Sequence, residues 1–96
     1  MKVPNVYMTT NRYNKILYTG VTSNIINRIK QHKDKHYNGF TSRYNCDKLV
    51  FYREFPSMIE AIAFEKKIKS GNRMKKEKLI NEMNPDWKDL SKGWYE

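Results

Sequence analysis

Glu65 is a carboxylate placed where an apolar side chain is expected. Stepping about 100° per residue around the segment that follows Ser57 puts Met58, Ala61, Ile62, Phe64 and Ile68 on one broad face, and Glu65 falls inside it, between Met58 and Ala61. A carboxylate on such a face loses hydration and needs a cation, a strong donor or a cleft. One carboxylate helped by waters and phosphate oxygens is a common way to hold Mg²⁺. A structural pair with lysine or arginine satisfies it as well. Arg28 and His32 lie four residues apart, on one face of an apolar stripe made by Ile25, Ile26 and Ile29. Arginine there forks onto a phosphate or snorkels to solvent. Histidine there serves as acid, base or phosphate donor, or is a plain surface residue. Tyr7 and Tyr18 are two phenols in neighbouring strand-like segments. They pack in a half-buried sheet or, on one face near Arg28 and Glu65, form part of a site.

The elements that must position these groups are legible. Val6–Thr10 and Ile16–Val21 alternate in character around the polar stretch Asn11-Arg12-Tyr13-Asn14, a hairpin signal. A turn centred between Arg12 and Tyr13 sets Tyr7 opposite Tyr18, on one face. Thr22 or Ser23 caps a helix starting near Asn24. Lys33–Asn45, which contains His36 and Asn38-Gly39, reads as a long surface loop. Lys48–Phe55 is a third strand stopped by Pro56, and Ser57-Met58-Ile59-Glu60 matches a capping box opening a second helix that ends at Gly71. A third helix spans roughly Arg73–Glu82 before the Asn84-Pro85 break, and Trp87, Leu90 and Trp94 can fold the tail back. The expected fold is α/β: a small three-stranded antiparallel sheet flanked by helices, in the order β-β-α-β-α-α, as one domain over residues 1–96.

Lysine and arginine number 19 against 10 acidic residues, a formal charge of +9 over 96 residues. That balance favours a polyanion, nucleic acid before a membrane surface. Lys66, Lys67, Lys69, Arg73, Lys75, Lys76 and Lys78 cluster on the second and third helices, as a phosphate track or a solvated surface. The single cysteine, Cys46, excludes an internal disulfide framework and reads as a structural thiol. No segment approaches the roughly 20 apolar residues of a membrane span. With no signal-like start, the expected compartment is the cytoplasm.

Val6-Tyr7-Met8, then Tyr18-Thr19-Gly20, then Arg28, His32 and Glu65, form an ordered set. It resembles the GIY-YIG nuclease domain over essentially the whole chain. The resemblance is greatest to small stand-alone bacterial members, related in fold to the N-terminal nuclease domain of the excision-repair incision subunit. Tyr18–Ser23, Phe40-Thr41-Ser42-Arg43-Tyr44 and Asn84–Leu90 look like that subgroup. The resemblance implies an endonuclease acting on nucleic acid, DNA before RNA, with a place in repair or recombination. In it Glu65 would hold one divalent cation, Mg²⁺ or Mn²⁺. Tyr7, or Tyr18 beside it, would take a proton from the attacking water. A free phenol titrates near pH ~10, so it must be perturbed to do so. Arg28 would clamp the phosphate, and His32 would support the tyrosine or the phosphate. The tripeptides read VYM and YTG here, which removes no reactive group. Lys88 stands where the family's late asparagine is expected, and Asn84, or else Asn81, would substitute for it in space. Lys66, Lys69, Arg73, Lys75 and Lys76 would bind nucleic acid, and the protein would act as a monomer or weak homodimer.

Two other readings share the composition. One is a binding module that keeps the fold without catalysis. The other is a basic RNA-associated structural protein, which predicts tighter binding to RNA and no response to metal.

Overall fold

The computed structural model describes residues 3–34 and 43–96. Most of the expected Lys33–Asn45 loop, with His36 and the Phe40-Thr41-Ser42 part of the motif, lies outside the described residues. The described elements are β1 (Asn5–Thr10), β2 (Leu17–Thr22), α1 (Ile25–Lys33), β3 (Lys48–Glu54), α2 (Met58–Lys69) and α3 (Arg73–Met83). The expected order and fold class hold. The sheet is antiparallel with spatial order β2-β1-β3, so β1 is central and β2 is an edge.

Each of these three helices starts on a side-chain cap that satisfies an orphan amide. Asn24 Oδ1 accepts from Asn27 N, Ser57 Oγ from Glu60 N, and Asn72 Oδ1 from Lys75 N. The cap of α1 is therefore Asn24, not Thr22 or Ser23. Thr22 Oγ1 instead accepts from the amide of Asn24, fixing the turn into the helix. At the end of α2, Gly71 N donates to Ile68 O at 3.0 Å. No left-handed residue is used there: among the described residues the positive-φ positions are Asn14, Asn45, Trp87 and Gly93.

The hairpin turns one residue later than expected. Tyr7 pairs with Gly20, and Tyr18 with Thr9. The reason is local: Asn11 Oδ1 accepts from the amides of Lys15 and Ile16, and Asn14 adopts φ 58°, which lengthens the loop. Moving the turn by one residue moves each partner by two, so Tyr7 and Tyr18 still share a face.

Alternation divides the core. Val6 and Met8 pack with Val50, Phe51, Ala61, Ile68 and Ile80 beneath α2 and α3. Tyr7 packs on the opposite face with Ile29 and Leu49, covered by α1 and by Leu90 and Trp94 of the tail. Ile62, counted on the buried face of α2 in the sequence reading, is exposed. A bulge between Met8 and Thr9 lets both Val50 and Phe51 reach the α2–α3 side. Cys46 is buried, and burial, reinforced by the charge of Asp47, pushes its thiol up to about 11, the behaviour of an inert structural group.

Candidate active site

Three rings meet on the α1 face of the sheet. Tyr7 and Tyr18 have centroids 6.2 Å apart, and His32 lies 5.5 Å from Tyr7 and 5.6 Å from Tyr18. The Tyr7 hydroxyl and His32 Nε2 are hydrogen-bonded at 2.9 Å. Tyr7 is 0% exposed and His32 4%, whereas Tyr18 is half-buried.

Gly20 makes the arrangement possible. A Cβ at position 20 would lie 2.5 Å from the Tyr7 hydroxyl oxygen, closer than real contacts allow. The phenol therefore lies over the glycine of the second tripeptide, aimed across β2 towards α1. Close approach is the role it has here, with a side chain of the protein itself.

Burial, reinforced by the nearby charge of Arg28, holds the His32 imidazolium form down to about 4. His32 is thus a neutral imidazole at physiological pH, able to take either role in the bond to Tyr7 according to its tautomer. Arg28, one helical turn before it, is half-buried.

Glu65 sits on α2, whose packing side lies against the opposite face of the sheet. Its side chain is 13% exposed, and its carboxylate lies 3.3 Å from Lys69 Nζ, which is 50% exposed. A single contact to a half-exposed lysine one turn away is a weak, exchangeable pair. The structure therefore brings Tyr7, Tyr18, His32 and Arg28 together in one layer and puts Glu65 in the next. Helix α2 packs on β1 and on β2, an edge strand, so the β2 edge lies next to both layers.

Among the described residues no group of three or more His, Cys, Asp or Glu could cage a metal. The donor set at Glu65 is one largely buried carboxylate with a replaceable partner. That fits an ion such as Mg²⁺, which keeps most of its waters and takes only one or two protein carboxylates.

Three candidates have other employment. Asn84 is buried; its Nδ2 donates to Val50 O at 3.2 Å and Lys88 O at 2.7 Å, and its Oδ1 accepts from Lys88 N at 3.0 Å. Asn81, the other asparagine near that position, accepts from Trp87 Nε1. Arg73 donates to the carbonyls of Asn14 and Lys15 and to Glu77, tying the start of α3 to the hairpin. Lys66, Lys69 and Lys75 are exposed and Lys76 half-buried.

No helix among the described residues is long and apolar enough to cross a membrane. The family model described as the GIY-YIG catalytic domain matches residues 3–78. The solution NMR structure of a UPF0213 protein from Bacillus halodurans is similar, with 29% sequence identity and a TM-score of 0.58 over 94% of this chain and 95% of that one. No curated protein sequence matches significantly. With its two tyrosine tripeptides on paired strands and the matched span covering most of its length, this chain belongs to the GIY-YIG catalytic domain family, which implies nuclease-type function.

Proposed function

We propose that this protein is a metal-dependent endonuclease that hydrolyses phosphodiester bonds in nucleic acid, DNA being the expected substrate. The observation that carries this reading is the buried Tyr7–His32 hydrogen bond set against Gly20 and beside the more accessible Tyr18. Such a pair holds a phenol cluster in one geometry, which acid–base work requires.

The division of labour follows from exposure. Tyr7 is 0% exposed, so water cannot reach it directly. Tyr18 is therefore the tyrosine whose phenolate would receive a proton from the attacking water, while Tyr7 and His32 fix its position and polarity. Arg28 clamps a non-bridging phosphate oxygen and favours the anionic transition state. Glu65 is the residue that would hold the divalent cation, Mg²⁺ or Mn²⁺, releasing Lys69 as it does so. When bound, that ion supplies charge stabilisation to the scissile phosphate and the leaving oxygen. Substrate lying along the β2 edge can address both layers. Lys66, Lys69, Lys75 and Lys76 give the phosphate backbone a basic track. Arg73 and Asn84 are assigned to bracing the fold. One such centre cuts one strand, as monomer or weak homodimer.

The test is plasmid nicking with Mg²⁺ or Mn²⁺. Glu65→Ala and Arg28→Ala should each lose at least about 100-fold in rate, the usual scale for a transition-state charge contact, with DNA binding by Glu65→Ala retained. Titrating Mn²⁺ should broaden the NMR signals of Gly20 and Tyr18 as well as those of α2; broadening confined to α2 would separate the two layers and end the proposal. A second reading, a binding module without hydrolysis, is favoured by the Glu65–Lys69 pair at 3.3 Å. It predicts no nicking by the parent protein on any substrate.

A further inference from the structure

A concavity opens on the Tyr7 face of the sheet, between the start of α1, the end of β3 and the tail. It has a volume of about 330 Å³, and Asn5, Asn24, Ile25, Tyr52, Glu54 and Trp94 are among its walls. That is within the usual range of small-ligand sites, about 300–1,000 Å³. Three of the walls share a face by register. Asn5 lies two residues from Tyr7 on β1, Tyr52 is the direct β3 partner of Tyr7, and Glu54 is that of Asn5. Directly opposed side chains start about 5 Å apart, so the Asn5 amide and the Glu54 carboxylate reach into one place.

We propose that this concavity is a binding site for a protonated primary amine on an aliphatic stem. The inference is independent of the nuclease reading. Asn5 is 2% exposed, and its Nδ2 donates to Val3 O at 3.1 Å, which fixes Oδ1 as the other atom. No donor among the described residues reaches that buried oxygen. A buried acceptor without a donor is costly, and a ligand that brings one relieves the cost. Glu54, across the strand pair, is exposed and takes part in none of the ion pairs among the described residues. Its neighbour Arg53 is turned to the other face, with its guanidinium over the Phe55 and Phe64 rings at 5.4 and 5.1 Å. An amide oxygen beside a carboxylate gives one ammonium group two acceptors.

The rest of the lining suits a cation and not an anion. Among the described residues it contains no lysine or arginine, in a chain that has 19. Tyr52 and Trp94 meet edge-on, 5.7 Å apart at 75°, and aromatic ring faces attract a cation. Val3, Ile25 and Ile26 offer apolar surface to the stem. Ile26 is 48% exposed and is the part of the rim that can turn aside to admit it. The first turn of α1 carries a partial positive charge that opposes a cation, but by less than a charge-assisted hydrogen bond contributes. Asn24 Oδ1 is spent on the amide of Asn27, so the acceptors are those of Asn5 and Glu54. An amine seated on both would tie α1, β3 and the tail together.

Nitrogen–proton NMR titrations of the full chain test this. The probes are butylamine, which is protonated at neutral pH as lysine is, and butanol as its uncharged counterpart. Butylamine should shift the Trp94 indole and Asn5 side-chain amide signals saturably. Butanol should bind the parent at least about 5-fold more weakly, as should butylamine the Glu54→Gln variant, the upper end for a pair with an exposed carboxylate. Asn5→Leu should weaken amine binding by a similar factor without lowering the melting temperature, because it removes the orphan oxygen. Should Asn5→Leu not fold, Glu54→Gln, at the exposed rim, carries the test. A blocked tripeptide, acetyl-Gly-Lys-Gly-amide, presents the same ammonium on a peptide. Tighter binding of butylamine assigns the site to a free amine, and binding of the tripeptide at least as tight assigns it to a lysine of a partner protein; both sustain the proposal. The absence of a saturable shift with either probe overturns it. So does butanol equal to butylamine, an affinity indifferent to Glu54→Gln, or adenosine shifting the same signals at lower concentration than either amine.

Discussion

The Tyr7 hydroxyl occupies space that only a glycine at position 20 leaves open. The phenol cannot swing aside, because its ring is enclosed by Ile29 and Leu49 and its oxygen is bonded to His32. Gly20→Ala should therefore cost about 1–3 kcal/mol in thermal denaturation, the range for overpacking a core, and abolish nicking even below its melting temperature. Stability near that of the parent would mean the phenol has another resting place. His32 carries a pH signature. Its folded pKa of about 4 lies below the ordinary value of 6.5. As pH falls, the unfolded chain takes up this proton first, so stability is complete above about 6.5 and is lost progressively down through about 4. Two and a half units correspond to roughly 3 kcal/mol. Thermal melts at a series of pH values should show this loss in the parent and not in His32→Gln. If both variants fall in parallel, the imidazole is not buried in its neutral form.

At the scale of elements, the bulge in β3 explains Asn84. An extra residue in one strand leaves backbone groups outside the ladder, and the carbonyl of Val50, beside the bulge, is taken up by the Asn84 amide, which also closes the turn to Lys88. Asn84→Ala should lose about 2–4 kcal/mol, since buried partners are left unsatisfied, while nicking per folded molecule stays near parental. A rate collapse in a stably folded Asn84→Ala would return the residue to the chemistry. Such a role was not legible in the sequence, because it depends on a bulge between Met8 and Thr9 that no local pattern announces. The elements themselves were legible, since the periodicity of their apolar residues and caps such as Ser57 act within a few residues. The face shared by Tyr7 and Tyr18 was legible too, although their pairing was not: parity survives a shift of two, whereas the register depended on the left-handed Asn14. The hydrogen bond between Tyr7 and His32 spans 25 positions and is a product of packing alone. The exposure of Ile62 shows the limit of a helical wheel, which gives the direction of a side chain but not how far the neighbouring sheet extends.

At the scale of the molecule, the match to the family ends at residue 78, yet the layer that holds the phenol cluster is closed by the segment beyond it. Trp94 packs edge-on against Tyr52 at 5.7 Å, and Leu90 N donates to Leu49 O at 2.7 Å. Asp89 fastens three parts together: Lys33 at the end of α1 at 2.6 Å, the Leu49 amide at the start of β3, and Ser91 of the tail. Burial alone would raise the Asp89 carboxyl, but hydrogen bonds from Lys33 and Ser91 outweigh it and hold the group below its usual range. Its contribution is thus present at neutral pH and is lost only as pH falls through that lowered value. Removing Trp87–Glu96 takes away this anchor and uncovers Ile25, Leu49 and Tyr52. Losing the partial burial of Leu90 and Trp94 together with the Asp89 anchor is worth about 3 kcal/mol. In a domain of this size that lowers the melting temperature by roughly 12–24 °C. The shortened chain should melt in that lower range by circular dichroism and lose nicking with it. A chain ending at Asp86 that melts within about 4 °C of the parent, a difference of under 1 kcal/mol, would show that the matched body closes its own core. The tail would then be a cover over a site that is already complete.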